Sequence, residues 1–255
     1  MKIAVITGAS SGMGREAVFQ IADRFSGIDE IWMVARRKDR LEELDGRVPV
    51  TLRCFGIDIT REEELEELAQ ELEERKPDVK FLVNAAGFGK IGNVGEVAVD
   101  TELAMVRLNC EALCAVTHMV LPYMSGNSRI IQFASAASFL PQPKFAIYAA
   151  TKSFVLSYSR ALGSELKKRG IFVTAVCPGP VKTEFFDIAE TTGQIPFYKK
   201  LVMADPKKVV SLALRDSMMG KSVSVYGGAM KAFHVLCKVC PHQWLLNAMN
   251  HLSWK

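Results

Sequence analysis

Short apolar runs alternate with longer amphipathic segments along most of the chain. KIAVIT (2–7), IWMVA (31–35), VTLRCF (50–55), KFLVNA (80–85), RIIQFAS (129–135), IFVTAVC (171–177) and SVSVYG (222–227) are five to seven residues long and rich in Val, Ile and Phe. Near-continuous apolar runs of this length predict strands buried on both faces, as in a parallel sheet. Between them the apolar period lengthens to that of a helix. Residues 13–25 align Met13, Ala17, Ile21 and Ala22, with Phe25 close behind. TREEELEELAQELEER (60–75) carries a stripe of Leu65, Leu68 and Leu72, with Thr60 placed as an N-cap and acidic residues in the first turn, where the helix dipole favours them. Residues 99–124 and 146–169 predict two longer helices. Strand–helix alternation of this kind predicts an α/β fold, a doubly wound parallel sheet of about seven strands flanked by helices. No repeat, low-complexity tract or Pro/Gly-rich linker divides it. The expectation is one Rossmann-type domain over 1–227, with a helical extension over 228–255 packed on the same domain.

Composition narrows the function classes. The 255 residues are 49% hydrophobic and 24% charged, which allows a sizeable core. A net charge of +4, dispersed along the chain, gives no footprint for nucleic acid. The longest uncharged run, Ala112 to Ser128, contains His118, Pro122, Gly126 and Asn127 and makes a poor membrane span. The first apolar run is too short for a secretory signal, so a cytoplasmic location and six reduced cysteines are expected.

The chemistry begins at VITGASSGMGRE, where the first strand turns into the first helix. Gly8, Gly12 and Gly14 have G-x-x-x-G-x-G spacing. Residues without Cβ allow a tight turn and let a diphosphate approach backbone N–H groups at a helix N-terminus. The second strand ends MVARRKDRL, with no carboxylate at Ala35, Arg36 or Arg37. A carboxylate there would bind the ribose 2′-hydroxyl, whereas guanidinium groups suit a 2′-phosphate, so NADP(H) is expected over NAD(H).

Further elements follow in order: NAAG (84–87), Asn109, Ser135, the pair Tyr148 and Lys152 in AIYAATKSF, and CPGPVKT (177–183). Ser135 lies 13 positions before Tyr148, and Asn109 lies 26 before Ser135. With the glycine-rich turn, this set resembles the short-chain dehydrogenase/reductase family in its compact form, from about residue 2 to residue 227. The resemblance implies a catalytic set of Asn109, Ser135, Tyr148 and Lys152, with Ser138 a second choice for the serine. Tyr148 would exchange a proton with the substrate oxygen, and Lys152, one helical turn away, would lower its pKa. Ser135 would stabilise charge on that oxygen, and Asn109 would hold a water relaying protons from Lys152. The implied cofactor contacts are Gly8, Ser10, Ser11, Gly12, Met13 and Gly14 in the turn, Arg36 and Arg37, and Asp58 with Ile59 after the third strand. Asn84, Ala85, Ala86 and Gly87, the Tyr148 and Lys152 pair, and Pro178, Gly179, Val181 and Thr183 complete them. Asn84 is expected mainly to brace the strands.

The variable part of such a fold is the lid, expected at about 184–206 within TEFFDIAETTGQIPFYKKLVMADP. Phe185, Phe186, Ile188, Ile195, Phe197 and Tyr198 there, with Phe88, Phe139, Leu140 and Pro180, suggest a small apolar carbonyl or alcohol substrate such as a steroid, an acyl chain or another hydrophobic ketone. The tail GGAMKAFHVLCKVCPHQWLLNAMNHLSWK has an apolar face with lysine flanks. It is open to covering the substrate mouth, forming a subunit interface or resting on a membrane surface, the last not favoured. Its CKVCPH segment lacks a second Cys pair at zinc spacing, so ordinary thiols and no metal are expected. The family's use of two long helices at subunit contacts implies a homodimer or homotetramer. The expected activity is NADPH-dependent interconversion of a carbonyl and a secondary alcohol. A non-catalytic NADP(H)-binding sensor or scaffold is the alternative, and it has no need of a proton donor. A nucleotide-sugar epimerase shares Y-x-x-x-K but generally has a longer chain and a different glycine turn.

Overall fold

A computed structural model describes residues 1–185, 189 and 203–253 of the chain. Seven parallel strands form one sheet: β1 (Lys2–Thr7), β2 (Glu30–Val34), β3 (Thr51–Phe55), β4 (Asp78–Asn84), β5 (Arg129–Phe133), β6 (Phe172–Val176) and β7 (Val223–Ser224). Their order is β3-β2-β1-β4-β5-β6-β7. The chain runs outward in one direction from β1 and then returns to lay β4 on the other side. Connections therefore diverge between the carboxyl ends of β1 and β4, which is where such sheets bind ligands.

Alternate residues of each strand serve two cores. Ala4, Ile6, Met33 and Ile131 face α1 (Gly12–Arg24) and α7 (Pro206–Met218), meeting Val18, Ile21, Val209 and Ala213. Ile3, Val5, Trp32, Leu82 and Ile130 face the other side, against the fully buried Leu68 and Leu72 of α3 (Glu62–Arg75) and Val116 of α5 (Leu113–Val120). Burial on both faces explains why the strand runs are apolar throughout. Each buried Leu contributes about 2 kcal/mol by removal from water.

Several elements depart from the periodicity. The N-cap of α3 is not Thr60. Its N–H and hydroxyl both donate to Asp58 Oδ1, at 3.0 and 2.7 Å, and α3 begins at Glu62. Glu64 instead reaches back to accept the Asp58 N–H at 2.6 Å. A short helix, α2 (Lys38–Glu42), follows β2. The stretch expected as one helix over 99–124 is α4 (Val99–Val106), a π-helical turn over Arg107–Ala112, α5, and a 3₁₀ turn over Leu121–Tyr123. Pro122 lacks the N–H needed to carry the helix on. The next helix, α6 (Ala146–Glu165), tightens to a 3₁₀ turn and stops at Gly170 with φ of 68°. The last strand is reduced to two residues.

In the tail, α8 (Gly228–Val239) sets Met230, Phe233 and Cys237 against Phe139 and Val225, and His234 stacks on Phe139 at 4.2 Å. Phe139 and Leu140 are thereby buried. The final helix, α9 (His242–Ser253), adds Leu245 to this cluster and leaves Trp244 exposed. Most of the expected lid, including Phe186, Ile188, Ile195, Phe197 and Tyr198, lies outside the described residues.

Candidate active site

The glycine-rich turn lies against the end of β4. Gly8 has φ of 69°, and a Cβ there would stand 2.7 Å from the Ala86 nitrogen. A Cβ on Gly14 would collide with the Gly8 carbonyl, so the first turn of α1 packs directly on the strand exit. Both positions demand glycine, and the backbone between them is left open for a diphosphate at the α1 N-terminus. Ser10 is buried, whereas Ser11, Gly12 and Met13 are half-buried along that N-terminus. Thr183 closes over it, its Cγ2 3.3 Å from where a Gly12 Cβ would sit.

Behind the turn, Asn84 is buried and bridges three elements. Its Nδ2 donates to Thr117 Oγ1 on α5 at 3.0 Å, and its Oδ1 accepts from Thr7 on β1 at 3.4 Å. Ala86 N–H donates to the same Thr7 hydroxyl at 3.3 Å, fixing 84–87 beside the turn. Asp58 is half-buried, and its Oδ1 already accepts from Thr60. Ile59 is buried in the core beneath it.

The four expected catalytic residues come together at the carboxyl ends of β4 and β5. Ser135 caps the 3₁₀ turn Ala136–Phe139, and its Oγ accepts the Ala137 N–H at 3.1 Å. That leaves its proton free to donate. Ser138 points elsewhere. Its hydroxyl donates to the Ser135 carbonyl at 2.5 Å and lies 3.8 Å from Cys177 Sγ, which separates the two candidate serines.

Tyr148 is 7% exposed, stacked on Phe145 at 4.2 Å and flanked by Phe185 at 5.4 Å. Met105, Phe88 and Ile91 complete the apolar surroundings. Burial pushes the phenol up to about 12, and the Ser135 hydroxyl opposes the rise. Lys152 is buried one turn along α6, its Nζ 5.7 Å from the Tyr148 ring centre and donating to the Phe133 carbonyl at 2.8 Å. Burial pulls its ammonium down to about 8. The expected lowering of the tyrosine pKa by Lys152 is thus not what this geometry delivers; desolvation dominates both groups.

Asn109 sits on the π-helical turn and is fully buried. Its Oδ1 accepts the Phe88 N–H at 3.1 Å, while Nδ2 donates to the Phe88 carbonyl at 2.9 Å and Thr151 Oγ1 at 3.0 Å. Both amide donors are spent bracing the loop after β4 against α6. A Cβ on Gly87 would lie 2.9 Å from Asn109 Oδ1 and 3.3 Å from Lys152 Nζ, so glycine keeps the space between them open.

On the far wall, Pro178, Gly179 and Val181 follow β6. Val181 pairs with Ala204, and Met230 of α8 covers Gly179 so closely that a Cβ would meet its sulfur at 2.7 Å. Arg36 is exposed, with no hydrogen bond or ion pair to another side chain among the described residues. Arg37 donates to Ser10 Oγ at 3.4 Å and pairs with Glu184 at 3.1 Å, and Arg40 pairs with the same carboxylate at 2.6 Å. Arg40 and Glu184 were missed as site residues. The available signal was that Arg40 stands three positions after Arg37 at a helix start; nothing local marks Glu184.

These residues fit a nicotinamide dinucleotide. The glycines leave room where any side chain would fill the turn. Comparison with known proteins agrees. A family model described as short chain dehydrogenase matches residues 2–192. Sulfoacetaldehyde reductase 2 of Chromohalobacter salexigens is 36% identical, over 72% of this chain and 74% of its own. The very-long-chain 3-oxoacyl-CoA reductase of Emericella nidulans is 29% identical, over 96% of this chain and 72% of its own. Among solved structures, a short-chain dehydrogenase from Sphingobium yanoikuyae in complex with NADPH superposes with a TM-score of 0.79 at 27% identity, covering 100% of this chain and 96% of that one.

Proposed function

The chain belongs to the short-chain dehydrogenase family, and on that premise we propose that it is an NADPH-dependent oxidoreductase interconverting a carbonyl and a secondary alcohol on an apolar substrate. The observation that carries this reading is the Tyr148 phenol buried among apolar side chains, with the ammonium of the equally buried Lys152 5.7 Å from its ring centre. A sensor or scaffold would gain nothing from holding a phenol and an ammonium out of water at such electrostatic cost.

When bound, the nicotinamide supplies or accepts the hydride. The chain supplies the rest. Ser135, held by the Ala137 N–H, directs its proton at the substrate oxygen and stabilises charge building there. Tyr148 donates the proton in reduction and takes it back in oxidation. Lys152, with a pKa of about 8, is poised to pass a proton near neutrality. The Asn109 brace holds Phe88 and α6 at a constant distance around it. NADP(H) is favoured by Arg36, Arg37 and Arg40 and by the lack of a carboxylate at the end of β2. Phe88, Ile91, Met105 and Phe185 around Tyr148 support an apolar substrate.

A panel of hydrophobic ketones, steroids and acyl thioesters, followed by NADPH absorbance, tests the reading. Tyr148→Phe is expected to lower kcat by about 10³-fold or more while NADPH binding, read by fluorescence, stays within about twofold. Undiminished turnover would remove Tyr148 from the mechanism. The same reading includes a homo-oligomer, because Leu103 and Val106 on α4 and Phe154 on α6 expose an apolar surface. Phe154→Glu is expected to shift light-scattering mass to a smaller species; an unchanged mass would place the contact elsewhere.

A further inference from the structure

The Arg37–Glu184–Arg40 cluster is not explained by the reaction. Glu184 follows the loop after β6, 147 positions from Arg37, yet its two oxygens receive different arginines, Oε2 from Arg37 and Oε1 from Arg40. Arg37 also reaches Ser10 in the glycine-rich turn, and Thr183 beside Glu184 lies against Gly12. The cluster therefore joins both walls of the dinucleotide cleft at its adenosine end. Two guanidinium groups converging on one anion form a site that a phosphate monoester would also fill.

We propose that Glu184 is an internal anion occupying the 2′-phosphate position, so that the phosphate and the carboxylate compete for Arg37 and Arg40 and Glu184 sets how strongly NADP(H) is preferred over NAD(H). The inference rests on the NADP(H) reading for its biological sense but not for its test. A dianion cannot approach these arginines with Glu184 in place without like-charge repulsion, so Glu184 must move aside. The cost is small, because all three side chains are 35–43% exposed and solvent screens the pairs. A weak latch of this kind yields to phosphate and still discriminates. The competing arrangement has Arg36 take the phosphate while Glu184 stays where it is.

Calorimetric titration of the full chain with adenosine 2′,5′-bisphosphate and with 5′-AMP distinguishes these. Glu184→Gln keeps the shape and removes the charge. It is expected to tighten bisphosphate binding by about threefold to tenfold, from two screened pairs, and to leave 5′-AMP unchanged. Arg40→Gln is expected to weaken the bisphosphate by a similar factor and again spare 5′-AMP. If Glu184→Gln leaves the bisphosphate Kd unchanged or weaker, the competition is refuted, whatever the native preference. If the native chain shows no preference for the bisphosphate but Glu184→Gln acquires one, Glu184 is the competitor and the NADP(H) reading fails instead. If neither chain prefers it, both fall.

Discussion

Lys152→Met should make the protein more stable while removing its activity. Lys152 is 5% exposed, and burial lowers its pKa from 10.5 to about 8. At about 1.4 kcal/mol per pKa unit, holding the charge in the core costs about 3 kcal/mol at pH 7. Met has a similar length and no charge. It loses the hydrogen bond to the Phe133 carbonyl, worth about 1 kcal/mol net. The balance is about 2 kcal/mol in favour of the variant, or roughly 4–8 °C in Tm for a domain of this size. The pH dependence is a sharper test. Below about 8 the lysine is charged in both folded and unfolded chains, and the full penalty applies. Between about 8 and 10.5 the unfolded chain binds more protons, so the native protein gains stability as pH rises. The advantage of Lys152→Met should therefore be widest at pH 7 and shrink by pH 9.5, measured by thermal melts of both chains. A variant that melts below the native protein at pH 7, or a gap that stays constant to pH 9.5, would refute the reasoning.

The two serines separate by their hydrogen bonds: Ser135→Ala should lower kcat about 10²-fold or more, whereas Ser138→Ala, which loses only contacts to the Ser135 carbonyl and Cys177, should stay within about tenfold, as steady-state kinetics will show. Gly87→Ala puts a methyl against Asn109 and Lys152, so activity should fall well beyond any loss in Tm; native kinetics would mean the space between them is not used.

Much of the fold was legible because burial on both faces writes itself into composition. All seven strand runs lie in the sheet, and Leu65, Leu68 and Leu72 are buried as their spacing predicts. The site was legible where chemistry is local to the chain. Tyr148 and Lys152 share a helix face at any tertiary arrangement, and Gly8 and Gly14 announce a turn that no other residue tolerates. Thr60 shows the limit of local rules: Asp58, two residues back, offered its N–H and hydroxyl a better partner than the helix did.

What the sequence determined by itself is the strands of the sheet and the glycine turn, since each depends on residues near one another in the chain, and it named Tyr148 and Lys152 as the candidate reacting pair. Only the tertiary structure decided their energetics and neighbours. Two hydrogen bonds separated Ser135 from Ser138, a π-helical turn aimed Asn109 inward, and α8 packed over Phe139. It set both Tyr148 and Lys152 by desolvation and brought Glu184 to arginines far away in sequence. Burial and long-range charge pairing are properties of how segments meet, and no spacing within one segment encodes them.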